Sequence, residues 1–103
     1  MELSTLIREA KEIKEAYAAL NQRSGHRVWG PTEYAQGLVG DVGDLVKLVM
    51  AKEHFRAADN LEEKLAHELG DCLWSLLILA DSLGMDLERA FLQTMEELRQ
   101  RTR

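Results

Sequence analysis

Apolar positions in this chain recur at intervals of three and four in four separate stretches, and no stretch reads convincingly as a strand. That period belongs to helices with one buried face. The first predicted helix runs from about Ser4, a candidate N-cap, to Asn21, with Leu6, Ile7, Ala10, Ile13, Tyr17 and Leu20 as its stripe. Residues 22–27 carry no stripe and read as a loop. The second helix begins at Gly30-Pro31, with the only proline at the first helical position, where its missing N–H does no harm. Its stripe is Ala35, Leu38, Val39, Val42, Leu45, Val46 and Val49. The third opens at Asn60, with Glu63 placed to complete a capping box, and reaches Ser82 before Gly84 ends it. Asp86 caps a fourth helix carrying Leu87, Ala90, Phe91, Met95 and Leu98. Short connections between these segments predict an all-α bundle with antiparallel neighbours.

Two acidic pairs stand at the margins of these stripes. Asp41-Val-Gly-Asp44 lies on the second helix and Glu68-Leu-Gly-Asp71 on the third. Residues three apart share a helix face, so each pair points two carboxylates the same way. Two like charges about 4 Å apart repel by roughly 1 kcal/mol in water and about 4 at an effective dielectric of 20. Two packed helices that brought all four together would need a cation between them. Hard oxygen ligands suit Mg²⁺ or Mn²⁺, and a Mg²⁺ site of this type works on phosphates. Gly37, Gly40 and Gly43 repeat beside the first pair, each costing about 1 kcal/mol of helix propensity relative to alanine. They mark a close helix contact, room for a ligand, or a weakness offset by packing.

Composition narrows the class. A chain of 103 residues makes one domain, spanning 1–103, and buries only about two-thirds of the surface it exposes when unfolded. From Cys72 to Ala80 the third helix is apolar on nearly every face, so it must be covered on several sides. A second copy is the expected cover, giving a homodimer or homotetramer. The net charge of −5 lacks the basic footprint of a nucleic-acid binder. Cys72, the only cysteine, excludes an intrachain disulfide or a cysteine-based zinc site. The N-terminus has no signal-peptide pattern, and no apolar run approaches the ~20 residues that span a bilayer, so the expectation is a soluble cytoplasmic protein without a membrane partner.

Rival site chemistries fit less well. A di-iron bundle needs Glu-x-x-His on two helices, and the chain contains none. His67, adjacent to Glu68, should point about 100° away from it. There is no Walker-type phosphate loop and no serine or cysteine triad.

Leu38-Val-Gly-Asp-Val-Gly-Asp-Leu45, followed by Glu68-Leu-Gly-Asp-Cys-Leu-Trp-Ser-Leu-Leu77, resembles the all-α nucleoside triphosphate pyrophosphohydrolases of the MazG type. That signature is Glu-x-x-Glu, a spacer, then Glu-x-x-Asp, and the 23 residues between Asp44 and Glu68 suit the spacer. Trp29-Gly-Pro-Thr and Leu83-Gly-Met-Asp-Leu87 resemble the family's lead-in to the second helix and its turn into the last. The resemblance implies hydrolysis of a (deoxy)nucleoside triphosphate to the monophosphate and pyrophosphate, in nucleotide-pool house-cleaning. It implies Asp41, Asp44, Glu68 and Asp71 as ligands of Mg²⁺, with Mn²⁺ as the substitute, and as the catalytic carboxylates. Arg99 and Arg101 match a basic C-terminal patch that would contact phosphates, or else they are charges favoring a helix C-terminus.

The chain also departs from the pattern. Its first pair is Asp-x-x-Asp, each side chain one methylene shorter, and Thr94 and Leu98 stand where relatives often have lysine and asparagine. The alternative these differences raise is a helical oligomer that binds nucleotide or a protein partner with weak or no turnover. Aromatic rings stack on bases. Trp29, beside His26, is the expected base contact, and Trp74 fits core or subunit interface better.

Overall fold

A computed structural model describes residues 2–53 and 59–103. Four helices account for the regular structure: α1 (Leu3–Arg23), α2 (Pro31–Lys52), α3 (Leu61–Ser82) and α4 (Leu87–Arg101). Among the described residues there is no strand, so the chain is all-α as the periodicity predicts.

The helix ends follow local chemistry, with two corrections. Pro31 occupies the first position of α2, and the Gly30 N–H donates to Glu33 Oε1 at 3.0 Å. Asp86 caps α4, accepting from the Arg89 N–H at 3.0 Å. Gly84 takes a φ of 68° after α3, which a side chain would resist, and the Met85 N–H closes back on the Ala80 carbonyl at 2.9 Å. Ser4, predicted as a cap, instead lies inside the first turn of α1, with Glu2 at the N-cap position. The helix also runs on through Gln22 and Arg23, until Gly25 turns at φ 74°. Asn60 heads α3 through its backbone, its carbonyl accepting from the Lys64 N–H at 3.1 Å, in the left-handed conformation that asparagine tolerates at φ 52°.

The chain divides into two compact units, one of residues 1–28 and 77–103, the other of residues 29–76. In the first, α1, the end of α3 and α4 come together, with Ala10, Leu77, Ile78 and Ala80 buried. Lys14 ties α1 to α3 by donating to Asp81 Oδ2 at 3.0 Å, and Lys11 stands 3.6 Å from the other oxygen. The second unit is α2 and the first part of α3. Tyr34, Ala51 and Ser75 are buried there, and Tyr34 packs edge-on against Trp74 with ring centroids 6.4 Å apart. Lys52 and Glu62 form an ion pair between the end of α2 and the start of α3.

The predicted stripes are wider than the covered faces. On α2, Leu38 and Leu45 are half-buried, but Val39, Val42, Val46 and Val49 are exposed, Val39 to 73%. On α3, Leu69, Leu73 and Leu76 are exposed as well. The physical reason is geometric: one helical neighbor covers a limited arc, and these residues lie on the arc beyond it.

Candidate metal centre

All four predicted carboxylates belong to the second unit, and α2 and α3 bring them together. Glu68 is half-buried, and its Oε2 is shielded from solvent without a hydrogen-bond partner. Burial pushes the Glu68 carboxyl above the ordinary carboxylate range, and the negative charges of Asp71, Asp44 and Asp41 push it the same way. Carboxylates of both helices therefore act on Glu68. Asp41 and Asp71 are half-buried, while Asp44 is exposed.

Two of the four carboxylates have a partner on α3. Asp41 Oδ2 accepts a 2.6 Å hydrogen bond from the Ser75 hydroxyl. Asp71 Oδ2 lies 3.1 Å from His67 Nε2, one helical turn earlier. Oxygens of Glu68 and Asp71 and a ring nitrogen of His67 all lie within 4.8 Å of one another. The expectation that His67 points away from Glu68 does not keep it out of this cluster. His67 does leave Glu68 by about 100°, but the four-residue step places it over Asp71 instead.

An open groove of about 630 Å³ runs past these groups, lined by Asp44, Lys47, Leu48, Glu63, Lys64, His67 and Glu68. Carboxylates thus meet two lysines and a histidine along one surface. Cys72, next to Asp71 in the chain, feels the same charges. Burial, and then Asp41, Glu68 and Asp71, hold the Cys72 thiol above the usual range, which disfavors the thiolate that a nucleophile needs.

An unpartnered carboxylate oxygen that is shielded from water is costly unless something binds it. Here it stands among three further carboxylates with hard oxygen donors, and the donor set suits Mg²⁺ or Mn²⁺. The same sequence that builds this site matches the description "MazG nucleotide pyrophosphohydrolase domain" over residues 2–103. The chain belongs to the MazG family. No curated protein matches it. In this MazG chain the acidic pairs stand on α2, as Asp41 and Asp44, and on α3, as Glu68 and Asp71.

The remaining predicted contacts lie outside this cluster. Trp29 belongs to the same unit as the carboxylates. Its ring meets Tyr34 edge-on at 5.7 Å and is 47% exposed. Gly37 makes room for it, since a β-carbon there would stand 3.4 Å from Trp29 Cζ3. Gly40 and Gly43 face open space instead, so the glycine row has one packing role and two uncovered positions. His26, Arg99 and Arg101 belong to the other unit. Arg99 pairs with Glu96 at 3.2 Å on the last turns of α4, and Arg99 and Arg101 both lie in its final turn. Trp74 packs on Tyr34, in line with a core role.

Sequence reasoning missed four neighbors of the carboxylates. His67 was legible from its i, i+4 relation to Asp71. Ser75 was legible as the one polar side chain in the run from Cys72 to Ala80. Lys47 and Lys64 left no distinctive signal, because lysines at helical spacing are common on solvated faces.

Proposed function

We propose that this MazG domain hydrolyses a nucleoside triphosphate to the monophosphate and pyrophosphate, using Mg²⁺ or Mn²⁺. The observation that carries the reading is the shielded, unpartnered Glu68 Oε2 amid carboxylates from α2 and α3. Asp41, Asp44, Glu68 and Asp71 are the proposed metal ligands. A divalent cation bound there supplies charge neutralisation at the phosphate oxygens and a more acidic water. The residues do the rest. Water attacks the α-phosphorus, the bond to the bridging oxygen breaks, pyrophosphate departs, and one carboxylate of the cluster takes the proton that the water loses.

Lys47 and Lys64 are the cationic groups of the groove, with His67 beside them, and all three would receive the phosphate chain. Trp29 offers a half-exposed aromatic face for the base, and stacking of this kind contributes about 1–3 kcal/mol. His26, Arg99 and Arg101 are the further proposed contacts. Purified protein with Mg²⁺ or Mn²⁺ should release pyrophosphate from at least one of a panel of common and modified triphosphates. Silence across that panel would sink the reading.

The proposal includes self-association. The exposed residues Val39, Val42, Val46 and Val49 follow steps of three, four and three, and Leu69, Leu73 and Leu76 follow four and three. That is the spacing of a helix seam awaiting a partner, and a second copy brings the same surface to meet it. Sedimentation of the protein as a monomer would contradict this. A second reading, nucleotide binding without turnover, draws on the short Asp41 and Asp44 and on the exposure of Asp44. Calorimetry separates the two: metal-dependent binding of a non-hydrolysable triphosphate by a protein that releases no pyrophosphate would favor it. No described helix is long and apolar enough to cross a membrane.

A further inference from the structure

Ser75 breaks the most apolar stretch of the chain, yet it is only 4% exposed. A buried hydroxyl without a partner costs about 1–3 kcal/mol, so alanine would be the simpler residue for packing alone. Its partner is a carboxylate on the other helix: the hydroxyl donates to Asp41 Oδ2 at 2.6 Å. Ser75 follows Asp71 by four residues and Glu68 by seven, which sets all three on one face of α3. The row that faces Asp41 thus consists of two carboxylates and one donor. Aspartate has a short stem with two torsions, and a strong hydrogen bond to one oxygen fixes both. The other oxygen, Oδ1, is left for a cation.

We propose that Ser75 is a positioning residue, whose hydroxyl holds the Asp41 carboxylate in its metal-binding orientation before any cation arrives. The inference rests on the metal-site reading given above. Groups that hold a ligand from behind typically change metal affinity by about 10–100-fold, and Ser75 is the only described residue that an assigned hydrogen bond joins to Asp41. An alternative is that the hydroxyl only satisfies itself, with Asp41 oriented by packing.

A Mn²⁺ titration of the full chain, with free Mn²⁺ followed by electron paramagnetic resonance, separates these possibilities without measuring turnover. Ser75→Ala should weaken Mn²⁺ binding about tenfold, and Ser75→Thr, which keeps the hydroxyl, should restore it. In an Asp41→Asn background the Ser75→Ala change should have no further effect, because its route to the metal is gone. Circular dichroism checks that each variant keeps its helices. Unchanged affinity in Ser75→Ala would overturn the inference and leave the metal site standing. An equal loss in the Asp41→Asn background would also overturn it, by showing an effect that bypasses Asp41. Failure of the unaltered protein to bind Mn²⁺ would overturn both this inference and the metal-site reading.

Discussion

Glu68 and Asp81 are carboxylates on the same helix, α3, and their surroundings drive them in opposite directions. Asp81 accepts from Lys14 at 3.0 Å with Lys11 close by, and these partners hold its carboxyl below the usual range. Glu68 has a shielded oxygen without a partner and three acidic neighbors, and its carboxyl is held above the range. One charge is compensated inside the chain and braces α1 against α3. The other is left uncompensated, a standing cost in the metal-free protein that a divalent cation would remove. The contrast separates a carboxylate compensated within the fold from one left open to a ligand, which composition alone cannot do.

The sharpest way to break this comparison is to neutralise Glu68. Glu68→Gln should lower pyrophosphate release by at least about 100-fold, since even groups behind a metal ligand cost that order. The same change should raise the melting temperature in EDTA, because an amide is free of the burial penalty and the repulsion. A variant that stayed active and melted lower would reverse the assignment.

Asp81→Asn should do the opposite. Turnover should hold, while stability falls by about 1 kcal/mol once solvent screening is allowed for, or roughly 4–8 °C for a domain of this size. Thermal melts beside the pyrophosphate assay decide it.

The two groups also predict opposite pH slopes for the metal-free protein. Glu68 is raised, so the folded chain holds its proton more tightly than the unfolded chain. Its contribution favors the fold at low pH and is lost as pH rises from the ordinary value of 4.5 through the raised one. Asp81 is lowered, so its contribution is present above the ordinary value of 3.8 and is lost as pH falls through the depressed one. Melts in EDTA from about pH 3 to 7 should lose the upper arm in Glu68→Gln and the lower arm in Asp81→Asn. Variants with curves parallel to the unaltered protein would remove the electrostatic basis of the contrast.

The smallest effect concerns the lysines. Lys14→Ala should cost about 1 kcal/mol. Lys47→Ala, which loses no ion pair among the described residues, should change stability by no more than about 0.5. Its effect should appear in KM for the triphosphate, raised about tenfold if the side chain meets a phosphate. Urea melts and a substrate titration on the same two proteins measure both.

What the sequence made legible was chiefly local. Pro31, Asp86 and Gly84 announce helix ends through their own backbone and side-chain chemistry, and all three act as read. The placement of each carboxylate pair on one helix is legible for the same reason, since a three-residue step needs only helix geometry. Ser4 misled because Glu2 stood ready to take the N-cap position two residues earlier. His67 was judged against its neighbor Glu68 when its relevant partner was Asp71. Ser75 stands out in the sequence as a polar residue in an apolar run, but its partner lies on another helix, a relation that no spacing rule reports. Periodicity named Val39 and Leu73 as apolar-face residues, but it is blind to whether a face is covered within the chain or by something else.

Trp29 has a practical consequence. Its indole lies half in water over Gly37, while Trp74 is more enclosed against Tyr34. The protein therefore carries two native fluorophores of unequal access, one open to an aqueous quencher and one sheltered. The open one belongs to the same unit as the carboxylates, so its emission is the signal to monitor, without attaching any label, while Mn²⁺ or a nucleotide is added.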